Sequence, residues 1–266
     1  MPSVSNIAIG ANMAAAAASK ARHGMNESIA RLSTGVRAMY GGDAAGYSTG
    51  TLHNSLSASH AAAARNVEDG ISYLQMGESV LLEVANLGQR LFELGIAADN
   101  TALLSTAQLG ALNSEAEAIG DAIDSILNET DFNTVEVVDS AASKSVAVAY
   151  AGQASGTTHT TGPGIVIAAM NGITAAAGAD GTANTMLGTV AKSLGEIAAD
   201  LTALKAFQGA ASSTSANLAA TGARLIDTDY ALETAELTKN SILNQAALSM
   251  AAQANNAQSA ILAVLQ

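Results

Sequence analysis

The chain has 266 residues and a formal net charge of −12, which argues against nucleic acid or an anionic membrane surface as a partner, because both recruit basic patches. Hydrophobic residues make up 49% of it but aromatics only 3%, with no tryptophan, so a thick core built on large rings is excluded. It has no cysteine, which excludes disulfides and thiolate chemistry or metal sites.

The apolar share is mostly Ala, Leu, Ile and Val. Alanine buries little area but has the best helix propensity and lets helices approach closely. Only Pro2 and Pro163 interrupt the chain's freedom to be helical. Residues 7–18 form an apolar run, but Lys20 and Arg22 follow it instead of preceding it. That order is wrong for a secretory signal. No apolar stretch reaches the roughly 20 residues that span a bilayer. Export would need another route.

Residues 5–38 predict a helix, with Met25, Ile29, Leu32 and Val36 on one face. Tyr40-Gly41-Gly42-Asp43 breaks it. A second helix covers 44–98, its stripe running from Val67 through Ile71, Leu74, Leu81, Val84, Leu87 and Leu91 to Leu94. That near-heptad spacing marks a helix packed along a long partner. After a turn around Asp99-Asn100-Thr101 and Ser105-Thr106, Leu109, Leu112, Ala116, Ile119, Ile123 and Ile126 mark a third.

The middle changes period. Val135 and Val137, then Val146, Val148 and Tyr150, alternate with polar residues, which predicts strands. Asp139 to Lys144 would close them into a hairpin. Residues 152–164 read as loop, 165–167 as a further strand, and 171–186 carry little signal. From about 188 the helical stripe returns through Leu194, Ile197, Leu201, Leu204, Ala211, Leu218 and Leu225. Asp227-Thr228-Asp229 predicts an N-cap for a last helix over 229–264, with Glu233 and Glu236 near its start. That helix carries Leu232, Ile242, Leu243, Met250, Ile261, Leu262 and Leu265. The predicted fold is mainly α: a long antiparallel helical coiled coil or bundle formed by both chain ends, with a small β-hairpin insertion. Such an Ala-rich pair is marginal alone and needs neighbours to complete it.

Several collinear motifs then carry a resemblance. LSTGVR (Leu32 to Arg37) and GDAAGYS (Asp43 to Ser48 with its preceding glycine) open it. RNVEDGISYLQMGE (Arg65 to Glu78), QRLFELGIAADN (Gln89 to Asn100) and NETDFNTVEVV (Asn128 to Val138) follow. ARLIDTDYALETAELTKNSILNQAALSMAAQAN (Ala223 to Asn255) closes it. Together they cover about 1–138 and 188–266 and resemble bacterial flagellin. Two features depart from the pattern: Gly42 stands where a second acidic residue is usual, and the motif around 205–211 is degraded to Gln208.

The resemblance implies a homopolymeric helical filament for swimming. Residues 1–40 and 228–266 would be the paired inner helices. Residues 41–138 and 188–227 would be an outer helical core that enters a hairpin, and 139–187 a short variable surface. It singles out Leu32, Gly35, Arg37, Asp43, Ala44, Gly46, Arg65, Asn66, Gly70, Phe132, Asn133, Asp229 and Tyr230 as assembly residues. It also implies export unfolded through the flagellar type III apparatus, with an export chaperone, cap and hook-junction proteins as further partners, and an extracellular location. By position, Arg90, Leu94 and Glu115 fall where vertebrate innate receptors contact some flagellins. An exposed middle makes Ser155, Thr157 and Thr158 candidates for O-glycosylation.

No cofactor, metal or catalytic site is expected, and the protein is read as no enzyme. His53 and His60 lie two turns apart, too far to chelate together, and no HExxH, GxGxxG or P-loop sequence occurs. The helix histidines read as solvated. Asp121/Asp124 and Asp227/Asp229 read as surface or helix-end charge. Arg37 and Asp43 are expected to clamp the first helix on the second or to pair across subunits, and Arg65 and Arg90 to reach carboxylates on neighbours. The alternatives are a hook–filament junction protein, a signalling coiled coil such as a chemoreceptor fragment, and an enzyme inserted in the middle.

Overall fold

The computed structural model describes residues 2–37, 43–138, 145–147, 158–160 and 173–265. Five helices carry it: α1 (Pro2–Thr34), α2 (Ala44–Ala98), α3 (Thr106–Glu129), α4 (Ala179–Ile226) and α5 (Tyr230–Leu265). Four short strands form two antiparallel ribbons: β1 (Asp131–Phe132) with β2 (Val135–Glu136), and β3 (Ser145–Ala147) with β4 (Thr158–Thr160). The mainly α prediction, with both chain ends helical and a small hairpin, matches this architecture. The further strand at 165–167 and the candidates Ser155 and Thr157 lie outside the described residues.

The chain divides into two compact units, Met1–Ser55 with Leu218–Gln266, and Leu56–Asn217. In the second unit α2, α3 and α4 share one core. Val67, Leu74, Leu81, Val84, Leu91 and Leu94 of α2 are buried, as the stripe predicts, against Ile123 and Leu127 of α3 and Val190, Ile197 and Leu204 of α4. A side chain at Gly95 would strike the backbone of Asp180, and one at Gly88 would strike Met186. Gly77 faces Ile197, and Ser57 Oγ donates to the Ser215 carbonyl at 2.8 Å. As one number rises the other falls, so these parts of α2 and α4 run antiparallel. Ser105 caps α3 in a capping box with Gln108.

The strand pairing differs from the predicted one. Asn133 and Thr134 have φ of 52° and 64°, so the chain reverses in two residues by the turn that suits a hairpin's twist. Val135–Glu136 therefore pairs back onto Asp131–Phe132, while the predicted connection 139–144 and the strand residues Val148 and Tyr150 lie outside the described residues. β3 instead pairs with β4, with Val146 opposite His159, inside the stretch read as loop. Tyr73 of α2 anchors the first hairpin: its hydroxyl donates to the carbonyls of Glu136 and Val137 at 3.1 and 3.2 Å, and its ring meets Phe132 edge-on.

Two helix ends also differ. α1 stops at Thr34 because Gly35 adopts φ of 70°, with its N–H returning to the Arg31 carbonyl at 2.8 Å. A side chain in that conformation is strained, so glycine ends the helix before the predicted break. α4 begins at Ala179, well before 188. Ala176 just before it and Ala179, Ala183 and Met186 in its first turns pack into the core at helical spacing, but contacts that are mostly alanine do not stand out in an Ala-, Gly- and Thr-rich stretch.

In the first unit α1 and α5 run antiparallel. Arg31 approaches Glu233 at 3.6 Å, and Gly24 lies against Asn240. Gly50 of α2 abuts Ile226, and Gly222 of α4 abuts Asn54. Glycine on each helix permits this approach.

Candidate functional site

The joint between α1 and α2 is held by the residues the motif reading singled out. Asp43 precedes α2 and caps it: the Gly46 N–H donates to its carboxylate at 2.8 Å, and the Tyr47 N–H to its carbonyl at 3.0 Å. A side chain at Gly46 would collide with that carboxylate. Arg37 donates to Asp43 at 2.8 Å and to the Leu225 carbonyl at 3.1 Å. The Gly46 N–H, and then the Arg37 guanidinium, hold the Asp43 carboxyl below its ordinary value, against the opposing effect of partial desolvation.

The chain between Gly35 and Arg37 also pairs with the link between α4 and α5. The Arg37 N–H donates to the Ile226 carbonyl at 2.7 Å and the Thr228 N–H to the Gly35 carbonyl at 2.9 Å, around a bridge of Val36 with Asp227. Asp229 caps α5, accepting from the N–H groups of Ala231 and Leu232 at 2.9 and 3.2 Å. Tyr230 places its hydroxyl over Gly35. Gly35, Arg37, Asp43, Gly46, Asp229 and Tyr230 thus converge on one joint, with Ala44 opening α2 and half-buried Leu32 on the last turn of α1.

The other candidates lie elsewhere. Gly70 is buried on α2, Arg65 and Asn66 are exposed there, and Phe132 and Asn133 form the hairpin. Among the described residues Arg65 has no ion pair within the chain. Arg90 finds its partners inside the subunit: Nε and Nη2 donate to Glu115 of α3 at 3.0 and 2.6 Å, and Nη1 to Glu93 at 3.2 Å. Glu115, then Glu93, raises its already high pKa further. Leu94 is 3% exposed. Thr158 lies on β4.

Among helix histidines the solvated reading applies to His23, exposed and 3.4 Å from Glu27. His53 and His60 are half-buried instead, and the His53 Nδ1 is enclosed without a hydrogen-bond partner. Asp121 is exposed but Asp124 is buried, so that pair is not simply surface charge. Among the described residues, no group of three or more His, Asp or Glu is placed to hold a metal, and no helix is long and apolar enough to cross a membrane.

The α1/α5 core is poor, as the alanine-rich composition of the chain ends leads one to expect. Among the described residues, the first unit buries the hydrophobic side chains of Ala18, Ala21, Ile226 and Ala247 only. Ile9, Met13, Leu232, Ile242, Leu243 and Met250 are 49–69% exposed. A groove of about 590 Å³ opens between the two helices, lined by Ala17, Ala21, Leu243, Ala246, Ala247 and Met250 among others. Of the apolar residues expected along α5, Leu232, Ile242, Leu243 and Met250 are exposed within the subunit.

Residues 5–143 match the family model of the bacterial flagellin N-terminal helical region, and residues 178–265 that of the bacterial flagellin C-terminal helical region. The chain belongs to the bacterial flagellin family. The flagellin of Bacillus subtilis strain 168 is 28% identical over 280 residues, which cover 90% of this chain and 92% of the relative. The flagellin of Halalkalibacterium halodurans is 30% identical over 252 residues, 90% of this chain and 91% of the relative. The flagellin of Escherichia coli K12 is 36% identical over 120 residues, covering 45% of this chain and 24% of that longer relative. This flagellin is therefore a structural subunit that polymerises into the flagellar filament for swimming, of a structural family and not an enzymatic one. A junction protein or a signalling coiled coil is not favoured.

Proposed function

We propose that polymerisation runs through the α1/α5 pair, with residues 1–40 and 228–266 forming the inner core of the filament. Residues 41–138 and 188–227 form the surrounding helical shell, and 139–187 the short outer surface. One observation carries the proposal: α1 and α5 bury alanines against each other while their large apolar side chains stay exposed. Burying a Leu, Ile or Met side chain stabilises by about 1.5–3 kcal/mol, so neighbouring copies supply what the pair lacks. Exposed Gln253, Asn255 and Asn256 on α5 suit the wall of a wet inner channel. The joint of Arg37, Asp43, Asp229 and Tyr230 fixes how α1 enters α2 and α4 enters α5, so it sets the geometry each subunit brings to its neighbours.

The filament stands outside the cell. The subunit leaves through the flagellar type III apparatus with its export chaperone, and adds beneath a cap above the hook-junction proteins. The test is assembly of purified protein followed by electron microscopy. Removing residues 1–30 or 235–266 abolishes filaments; full assembly without them would refute the proposal.

A second reading, recognition by a vertebrate innate receptor, is favoured by Arg90 and Glu115 lying side by side and half-exposed on α2 and α3. Leu94 is buried beneath them and would act through packing. A reporter-cell assay with monomer decides it: the wild type signals and Arg90→Ala does not, and a silent wild type sinks it. O-glycosylation at Ser155, Thr157 or Thr158 predicts an intact mass above that of the bare chain; a mass equal to it excludes the modification.

A further inference from the structure

The formal charge is divided unequally between the two units. The unit of residues 1–55 and 218–266 holds six basic and six acidic side chains and is neutral. The unit of residues 56–217 holds five basic and seventeen acidic ones, and so the whole net charge of −12. α3 is the extreme case: five carboxylates and no lysine or arginine of its own. Among the described residues its ion-pair partner is Arg90 of α2, already shared with Glu93. Glu68, Glu78, Glu83, Glu117 and Asp121 are exposed on α2 and α3, and among the described residues none of their side chains is ion-paired.

Helix formation does not explain this division. Like charges four apart, as at Glu117 and Asp121, oppose a helix slightly. Nor does the division serve solubility evenly, because most of the exposed large apolar side chains lie on the neutral unit, with Leu82, Ile96, Leu103 and Phe207 the exceptions on the acidic one. What it does is place attraction and repulsion on different parts of one chain. The neutral helices bring copies together with no charge to overcome. The acidic unit makes the same approach cost electrostatic work, which grows as the square of its charge and is screened within about 10 Å at 0.1 M salt.

We propose that residues 56–217 act as an electrostatic brake on self-association, so that their surplus of exposed carboxylates sets the ionic strength at which this flagellin polymerises. The proposal rests on the α1/α5 polymerisation reading. The brake keeps monomer from associating in dilute salt despite its exposed apolar face, and releases it as salt screens the acidic units.

The experiment measures the salt midpoint of assembly by light scattering and sedimentation of full-length protein in sodium chloride, with filaments identified by electron microscopy. One variant carries Glu68→Gln, Glu78→Gln, Glu83→Gln, Glu117→Gln and Asp121→Asn. Its acidic unit falls to −7, leaving about a third of the original self-repulsion. A second carries Lys192→Gln and Lys205→Gln, both exposed residues, and raises the repulsion by about a third. The midpoint moves to lower salt in the first and to higher salt in the second. Filaments at an unchanged midpoint in both, or shifts in the same direction, would overturn the brake while leaving the polymerisation reading standing. No filaments from the wild type at any salt would overturn both.

Discussion

At the residue scale the joint around Asp43 makes the sharpest predictions. Its folded pKa is lowered from 3.8, chiefly by the Gly46 N–H and next by Arg37. A carboxylate depressed in this way stabilises the folded state fully above its unfolded value, and that stability is lost as pH falls through the folded value. Acid melts of wild type and Asp43→Asn should therefore differ above pH 4 and converge well below it; parallel curves would contradict the clamp. Gly35→Ala should cost about 1–2 kcal/mol in denaturant unfolding, because alanine is strained at a left-handed φ. Arg90→Ala should lower the monomer's melting temperature in dilute salt and less so in concentrated salt, since it strips α3 of its counterion. Much of this joint was legible: Arg37 and Asp43 read as a bend clamp, and Asp229 as a cap, from local patterns alone. What was not legible is long-range. Nothing near Arg37 points to the Leu225 carbonyl, and the carboxylate expected from a neighbouring subunit for Arg90 is supplied by α3.

At the element scale the apolar stripes divide into two kinds. Those of α2, α3 and α4 are buried. Leu81→Ala, at a fully enclosed position, should cost about 2–5 kcal/mol of monomer stability in denaturant melts. Leu232, Ile242, Leu243, Leu248 and Met250 of α5 are exposed, so Leu232→Ala should change monomer stability by no more than about 0.5 kcal/mol yet reduce assembly. A large monomer loss from Leu232→Ala would show that α5 is held internally after all. Periodicity reveals that a face is apolar but not whether the chain itself covers it, which is why the two kinds looked alike. The start of α4 was missed because its buried positions are mostly alanine, which does not stand out in an Ala-, Gly- and Thr-rich stretch. The pairing of β3 with β4 was missed because alternation does not say which segments pair.

At the scale of the whole molecule, the chain buries most of its large aliphatic side chains in one unit and leaves most of its exposed ones on the other. Residues 56–217 have a conventional aliphatic core. The α1/α5 helices have the propensity to be helical but little burial to hold them. Amide hydrogen exchange, compared between monomer and filament, tests this division most directly. The account predicts that Ile9–Thr34 and Tyr230–Ala260 exchange fast in the monomer, well before the α2 core around Leu81 and Leu91, and become strongly protected in the filament. Protection of α1 and α5 in the monomer equal to that of the α2 core, with no gain on assembly, would contradict it.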